Sequence, residues 1–200
     1  MASLTTHERF TRMYEHREAD RIPILDSAWA TTLERWRREG MPADADWVDY
    51  FDLDHVSRIG VDNSPRFEER TVEETGECRI FTTRWGATVR DFKDHTSTPE
   101  FIDYVMKDRD GWARAKRRMR PERDRIDWDR LRADYPRWRE RGDWIVAGLW
   151  FGFDVTHARM VGTERLLMAM VEDPEWVVEM WTHQLDVGLA LLEMVWDAGY

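Results

Sequence analysis

Cysteine is almost missing from this sequence. Cys78 stands alone among 200 residues, so no intrachain disulfide and no multi-cysteine metal site can form. Long apolar runs are missing as well. No stretch of about 20 apolar residues exists to span a membrane, and the opening Ser3-Leu4-Thr5-Thr6-His7-Glu8-Arg9-Phe10 has no apolar signal-peptide core. These two absences together point to a cytoplasmic protein. Neither a G-x-G-x-x-G run nor a Walker pattern occurs, so no glycine-rich phosphate loop is expected. An excess of positive charge is absent too. Thirty Lys and Arg face forty Asp and Glu, for a net charge of -10, and a nucleic acid would be repelled. No internal repeat and no low-complexity segment interrupts the chain.

Apolar residues are plentiful, at 42 % of the chain, enough for one domain with a sizeable core. Tryptophan is unusually common: twelve are scattered from Trp29 to Trp196. They read as core or pocket-wall residues, and a large planar ligand would fit such walls. Positive charge gathers in one stretch, Ala113 to Gly142, with twelve Lys or Arg and six acids. Arg114, Lys116, Arg117, Arg118, Arg120, Arg123 and Arg125 lie there. One reading is a solvated helical face with mixed ion pairs; the other is a docking surface for an acidic partner.

The pattern of elements alternates. Thr5 and Glu8 form a capping box ahead of a helix carrying Phe10, Met13 and Tyr14. Arg21 to Asp26 reads as a short buried strand with Pro23 near its start. Ala28 to Glu39 reads as a helix ended by Gly40, and Trp47 to Leu53 as one helical turn. His55 to Asp62 is an expected strand, closed by the turn Asn63-Ser64-Pro65. Phe67 to Val72, Cys78 to Trp85 and Ala87 to Phe92 are expected to form an antiparallel meander. A helical region is expected from Pro99 to Arg141, interrupted at Pro121 and Pro136. Trp144 to Leu149 is apolar enough for a strand buried on both faces. Val155 to Val171 reads as helix with a break at Gly162. Asp173-Pro174-Glu175 starts a last helix, whose expected buried face is Val177, Trp181, Leu185, Leu189, Leu192 and Trp196. Strands alternating with helices predict a mostly parallel sheet covered by helices.

Several stretches resemble one family. Glu8-Arg9-Phe10 followed by Asp20-Arg21-Ile22-Pro23 resembles the opening of uroporphyrinogen decarboxylase superfamily members. The run Arg84-Trp85-Gly86-Ala87-Thr88-Val89-Arg90 resembles a hairpin of the methyltransferase-like branch. Gly148-Leu149-Trp150-Phe151-Gly152, Gly162-Thr163-Glu164-Arg165-Leu166-Leu167 and Asp173-Pro174-Glu175-Trp176-Val177 resemble later stretches in the family's order. The resemblance implies an α/β fold: the N-terminal half of a (β/α)₈ barrel over residues 1–200, with an antiparallel β insertion at about 67–92. A full barrel takes about 250 residues, so the chain is expected to be a fragment or a truncated gene product carrying roughly the first half of the barrel, with an unpaired sheet edge when left alone.

Active sites of such barrels lie at the C-terminal ends of the strands. The resemblance therefore implies Asp26, Ser27 and Trp29 after the first strand, and Asp62 and Asn63 after the second. Trp150, Phe151, Phe153, Asp154 and His157 follow the third. Asp62 is the expected catalytic residue, holding pyrrole N–H groups, or else a turn residue bonding its own backbone. Asp26 faces the pocket or caps the next helix. His157 is an acid–base candidate or a helix-end histidine. His55 and His183 read as structural, Cys78 as inert, and Met160, Met168 and Met170 as core filler.

True decarboxylases carry arginines after the first strand to hold a polyanionic porphyrinogen. Here that segment reads Leu25-Asp26-Ser27-Ala28-Trp29-Ala30, with no arginine before Arg35. This departure favours corrinoid-linked methyl transfer from a small methylated substrate. Decarboxylation of a porphyrinogen is the alternative, and a non-catalytic interaction domain using the basic stretch is a third reading. The family's methyltransferases bind zinc through a His-x-Cys pair and a later Cys in the barrel's second half. No cofactor ligand is thus read in this segment; zinc and a corrinoid would enter through the second half. The implied partners are a small-molecule substrate or tetrapyrrole, a corrinoid protein and a second copy in a homodimer, with no nucleic acid and no membrane.

Overall fold

A computed structural model describes residues 3–94 and 97–200. It is a mixed α/β structure with a two-strand parallel sheet and a four-strand antiparallel sheet. The chain separates into two compact units. One holds the chain up to Ile59 together with Asp127–Gly148; the other holds Gly60–Ile126 with Leu149–Tyr200. No helix among the described residues is long and apolar enough to cross a membrane.

The first unit opens with α1 (Thr6–Tyr14). Its capping box forms as the spacing of Thr5 and Glu8 predicts, each side chain taking the other's backbone N–H. Then come α2 (Ala30–Arg38), the single turn α3 (Trp47–Tyr50), strand β1 (Val56–Gly60), α5 (Trp128–Arg141) and strand β6 (Trp144–Gly148). Strands β1 and β6 are parallel neighbours, tied where the Trp144 N–H donates to the His55 carbonyl at 3.0 Å. The side chains agree with this pairing: Ser57 of β1 donates to the buried Asp143 carboxylate at 2.6 Å.

The expected first strand does not form. Arg21 to Asp26 has no strand hydrogen bonding, and Ile22, Ile24 and Leu25 are exposed. Pro23 offers no N–H, and the Ile24 N–H goes to the Asp54 carboxylate at 2.7 Å rather than to a strand partner. Among the described residues, one backbone bond, from the Asp54 N–H to the Ile24 carbonyl, is the pairing that remains. The parallel sheet therefore stops at two strands and no barrel closes.

A cluster of charges takes the missing strand's place. Arg9 pairs with Asp20 at 2.8 Å and also with Asp54, and Arg21 pairs with Asp54 as well. Thr6 donates to Asp54 at 3.1 Å. The Asp54 side chain has no exposed surface. Burial pushes its carboxyl up, but the bonds from Ile24, Arg21, Thr6 and Arg9 outweigh that and hold it below the usual range. Helix α5 also departs from expectation, since it runs unbroken through Pro136. Only Leu131 of this helix is buried, so the carbonyl left without a partner has water at hand.

In the second unit, β2 (Thr71–Glu74), β3 (Cys78–Thr82), β4 (Ala87–Phe92) and β5 (Glu100–Tyr104) form an antiparallel meander in chain order. The expected insertion thus extends past residue 92. Residues 100–104, expected as helix, are a strand: β4 offers a free edge, and Ala87 lies opposite Tyr104 across the new pair. The first meander strand also begins later than expected, at Thr71 rather than Phe67. Helices α4 (Arg109–Arg118), α6 (Phe153–Val155), α7 (Thr163–Glu172) and α8 (Pro174–Asp197) complete the unit, together with a π-helical segment, Thr156–Val161. Asp173 caps α8 by accepting the Trp176 N–H and binds Arg109 at 2.6 Å.

The buried face of α8 is rotated from the expected one. Trp176, Val177, Met180, Gln184, Val187, Gly188, Leu191 and Val195 are buried, whereas Leu189 and Trp196 are exposed. The stripe runs through a glutamine and a glycine, which hydropathy alone would not select. Gly188 is there because α8 passes tight against Leu149, where an added Cβ would sit 2.7 Å from the Leu149 side chain. Of the tryptophans, Trp85, Trp112 and Trp176 are core, while Trp29, Trp150 and Trp196 are exposed. Of the three methionines expected as core filler, Met160 is buried and Met168 and Met170 are exposed.

Candidate functional site

The candidate residues are divided between the units. In the first, Asp26 accepts the Ser27 N–H at 2.7 Å and Trp29 is exposed at the N-cap of α2 without a side-chain cap bond. In the second, the remaining candidates gather on two loops, 61–66 and 149–157.

Loop 61–66 is built around Asp62. Its Oδ1 accepts the Ser64 N–H at 3.1 Å and the Ser64 hydroxyl at 2.6 Å. Its Oδ2 accepts Arg66 Nε at 2.7 Å, with an Arg84 nitrogen at 3.8 Å. Burial pushes the carboxyl up, but the bonds from Arg66 and Ser64 prevail and keep it ionised, below the usual range. Arg66 closes the loop in a left-handed conformation, φ 49°, and is itself held by Asp124 at 2.6 Å. Arg125 underlies the loop. It is buried and donates to the carbonyls of Asp62 at 2.9 Å and Ser64 at 2.8 Å, and to that of Arg118. Burial lowers its pKa, and the nearby Arg66 adds to that.

Asn63, fully buried, joins the two loops. Its Nδ2 donates to the Trp150 carbonyl at 2.6 Å and to the Gln184 carbonyl at 3.4 Å. Gln184 of α8 supports the second loop. It accepts the Gly152 N–H at 3.2 Å and donates to the Thr156 hydroxyl at 3.1 Å and Met160 sulfur at 3.4 Å. Gly152 has φ 82°, a left-handed conformation that lets the chain turn into α6. Neither Gln184 nor Thr156 stands out in the sequence, because a single polar residue on a helix gives no sign of its partner.

The outer face of loop 149–157 is aromatic. Trp150, Phe151 and Phe153 are exposed. Phe153 stacks on the His157 ring at 4.9 Å. His157 Nδ1 lies 3.0 Å from the Thr163 hydroxyl, and its Nε2 3.7 Å from the Asp154 carboxylate. Arg159, which sequence reasoning passed over, lies over the Trp150 indole with its guanidinium carbon 4.5 Å from the ring centre. Two other histidines are accounted for in their own units: His183 meets the Met119 carbonyl at 3.1 Å, and His55 meets Asp49 at 2.7 Å.

A zinc site of the His and Cys type does not fit the residues present. Among the described residues, the polar partner of the Cys78 sulfur is the Thr75 hydroxyl, at 3.6 Å. Among the described residues, the grouping with metal-ligand spacing is Asp46, Asp49 and His55, whose donors are mostly carboxylate oxygens; such a set suits a hard cation, not thiolate zinc chemistry. No family model, no curated protein and no solved structure matches the chain.

Proposed function

We propose that β1 and β6 are adjacent staves of a (β/α)₈ barrel of the uroporphyrinogen decarboxylase superfamily, with residues 1–200 forming one partial barrel domain. In this reading the enzyme carries out corrinoid-linked methyl transfer from a small methylated substrate. The order of the family-like stretches supports it. So does the parallel pairing of two strands whose following loops carry the candidate residues. The observation that carries the reading is the bond from Asn63 to the Trp150 carbonyl. It joins the loop after β1 to the loop after β6, as a site at one rim of parallel strands requires.

Asp62 favours methyl transfer over decarboxylation. A decarboxylase aspartate must keep oxygens free to accept pyrrole N–H groups. Here Ser64 and Arg66 already occupy both oxygens. Asp62 instead holds its own loop, Asn63 is buried where it joins the two loops, and the residues left to face a substrate are Trp150, Phe153, Asp154 and His157. In the transfer, the methyl group leaves its donor heteroatom without the bonding electrons. The heteroatom keeps the pair and takes up a proton, and a reduced corrinoid, where one is bound, would supply the nucleophile that accepts the methyl group. The apolar, aromatic loop would exclude water from that exchange. No step is assigned to zinc.

The test supplies the protein with cob(I)alamin and, in turn, a methylated amine, a methylated thiol and a methoxyarene. Absorbance follows formation of methylcobalamin, and uroporphyrinogen is assayed in parallel by mass. Methylcobalamin formation with one donor class, and unchanged uroporphyrinogen, is the expected result. Loss of carboxyl groups from uroporphyrinogen, or turnover in neither assay, overturns the proposal.

A further inference from the structure

Arg159 is at odds with the other buried or half-buried arginines of this protein. Arg9, Arg66 and Arg141 each hold a carboxylate, and Arg125 holds three backbone carbonyls. Arg159 is partly buried, yet among the described residues it has no carboxylate within ion-pair distance and no hydrogen-bond acceptor. The guanidinium lies over the face of Trp150, a contact that leaves its edge donors unused. Asp154 attracts it only from a distance, because the Asp154 carboxylate is 97 % exposed and directed to His157. Burial lowers the Arg159 pKa without another group to compensate fully. Partly desolvated charges are ordinarily paired, since an unpaired one costs free energy.

Where Arg159 stands is also unusual. It belongs to the π-helical turn Thr156–Val161, and such wide turns are frequent at functional sites. That turn is anchored from below by Gln184 through Thr156 and Met160, so the guanidinium is displayed from a supported backbone. Trp150 holds its plane by stacking. The exposed Phe151 and Phe153 belong to the same loop.

We propose that Arg159 binds the carboxylate of a small organic acid, with Trp150 orienting the guanidinium and the aromatic loop receiving the acid's apolar body. A planar fork with free N–H groups matches a carboxylate with two parallel hydrogen bonds. This rests on the reading of loop 149–157 as a ligand-facing surface, and it names the chemistry of one end of that ligand.

Benzoate is the probe. Titration of the full chain with sodium benzoate, followed by the NMR signals of arginine Nε–H groups, should give a saturable shift of the Arg159 signal, identified by its loss in Arg159→Gln. Uncharged benzamide should bind about tenfold more weakly, the size expected when a charge-assisted hydrogen-bond pair is lost. Arg159→Gln should weaken benzoate binding by about tenfold, and Arg159→Lys should restore part of it, since a lysine keeps the charge but not the fork. Equal binding of benzoate and benzamide overturns the proposal. So does unchanged affinity in a folded Arg159→Gln protein, or inorganic phosphate binding as tightly as benzoate. Benzoate binding through Arg159 without methylcobalamin formation would retire the reaction and keep this site. Methyl transfer unaffected by Arg159→Gln would do the reverse.

Discussion

Asp54 receives bonds from Thr6, Arg9, Arg21 and the Ile24 backbone, partners drawn from 30 to 48 residues away. It is fully buried, as is Arg9 nearly so. Removing one member of such a pair leaves the other charge desolvated and alone, at a cost of about 3–5 kcal/mol. Asp54→Asn is therefore expected to destabilise the protein by that amount, measured as the loss of unfolding free energy in urea. An effect near zero would mean that water reaches the cluster. Arg9, Asp20 and Arg21 belong to the family-like opening, so in this chain those residues hold structure together rather than face a ligand. The motif was legible in the sequence. Its partner was not, because Asp54 is one of many acids and nothing nearby in the chain marks it.

Among the elements, the break between the π-helical segment and α7 shows how closely backbone and packing are matched. Gly162 has φ 90°, and a Cβ there would lie 2.8 Å from the Tyr104 ring. Alanine would meet both an unfavourable backbone conformation and a ring with β5 behind it. Gly162→Ala should cost about 1–3 kcal/mol, seen as a lower urea midpoint with an unchanged slope. A neutral outcome would show that Tyr104 swings aside freely. The break at Gly162 was readable from the sequence, as were the caps of α1 and α8, because each is set by residues three or four positions apart. Strand β5 was not, since it exists only through its pairing with β4. The face of α8 was misread for a related reason. Gln184 is buried because Gly152, Thr156 and Met160 wait for its amide, and the helix turned to meet them.

At the scale of the molecule, acid should unfold this protein by a foreseeable route. Asp54 and Asp20 in the first unit sit below their ordinary value, and so do Asp62, Asp103 held by Lys107, Asp173 held by Arg109 and Glu179 held by Lys116 in the second. A carboxyl with a lowered folded pKa takes up its proton first in the unfolded chain. Its contribution is thus present above the ordinary values of 3.8 for Asp and 4.5 for Glu and is lost as pH falls below them. His183 acts in the same direction from its ordinary value of 6.5, because burial favours its neutral form over the opposing bond to the Met119 carbonyl. Thermal scans should therefore show a slight decline in Tm below about pH 6.5 and a steep one below about pH 4.5. A Tm that stays level or rises down to about pH 3 would contradict the charge networks described above.

The sequence by itself determined the caps of α1 and α8, the turn at Asn63-Ser64-Pro65, an antiparallel meander, and two strands with candidate residues just beyond them. Those features depend on neighbours a few positions apart, where propensity and periodicity decide. Only the tertiary structure decided that residues 21–26 would forgo a strand for Asp54, and that Asp62 would be spent on its own loop. It also brought Asn63 to the Trp150 carbonyl and left Arg159 without a carboxylate. Burial and pairing across dozens of residues fix such outcomes, since a charged or polar group settles wherever its desolvation is best repaid.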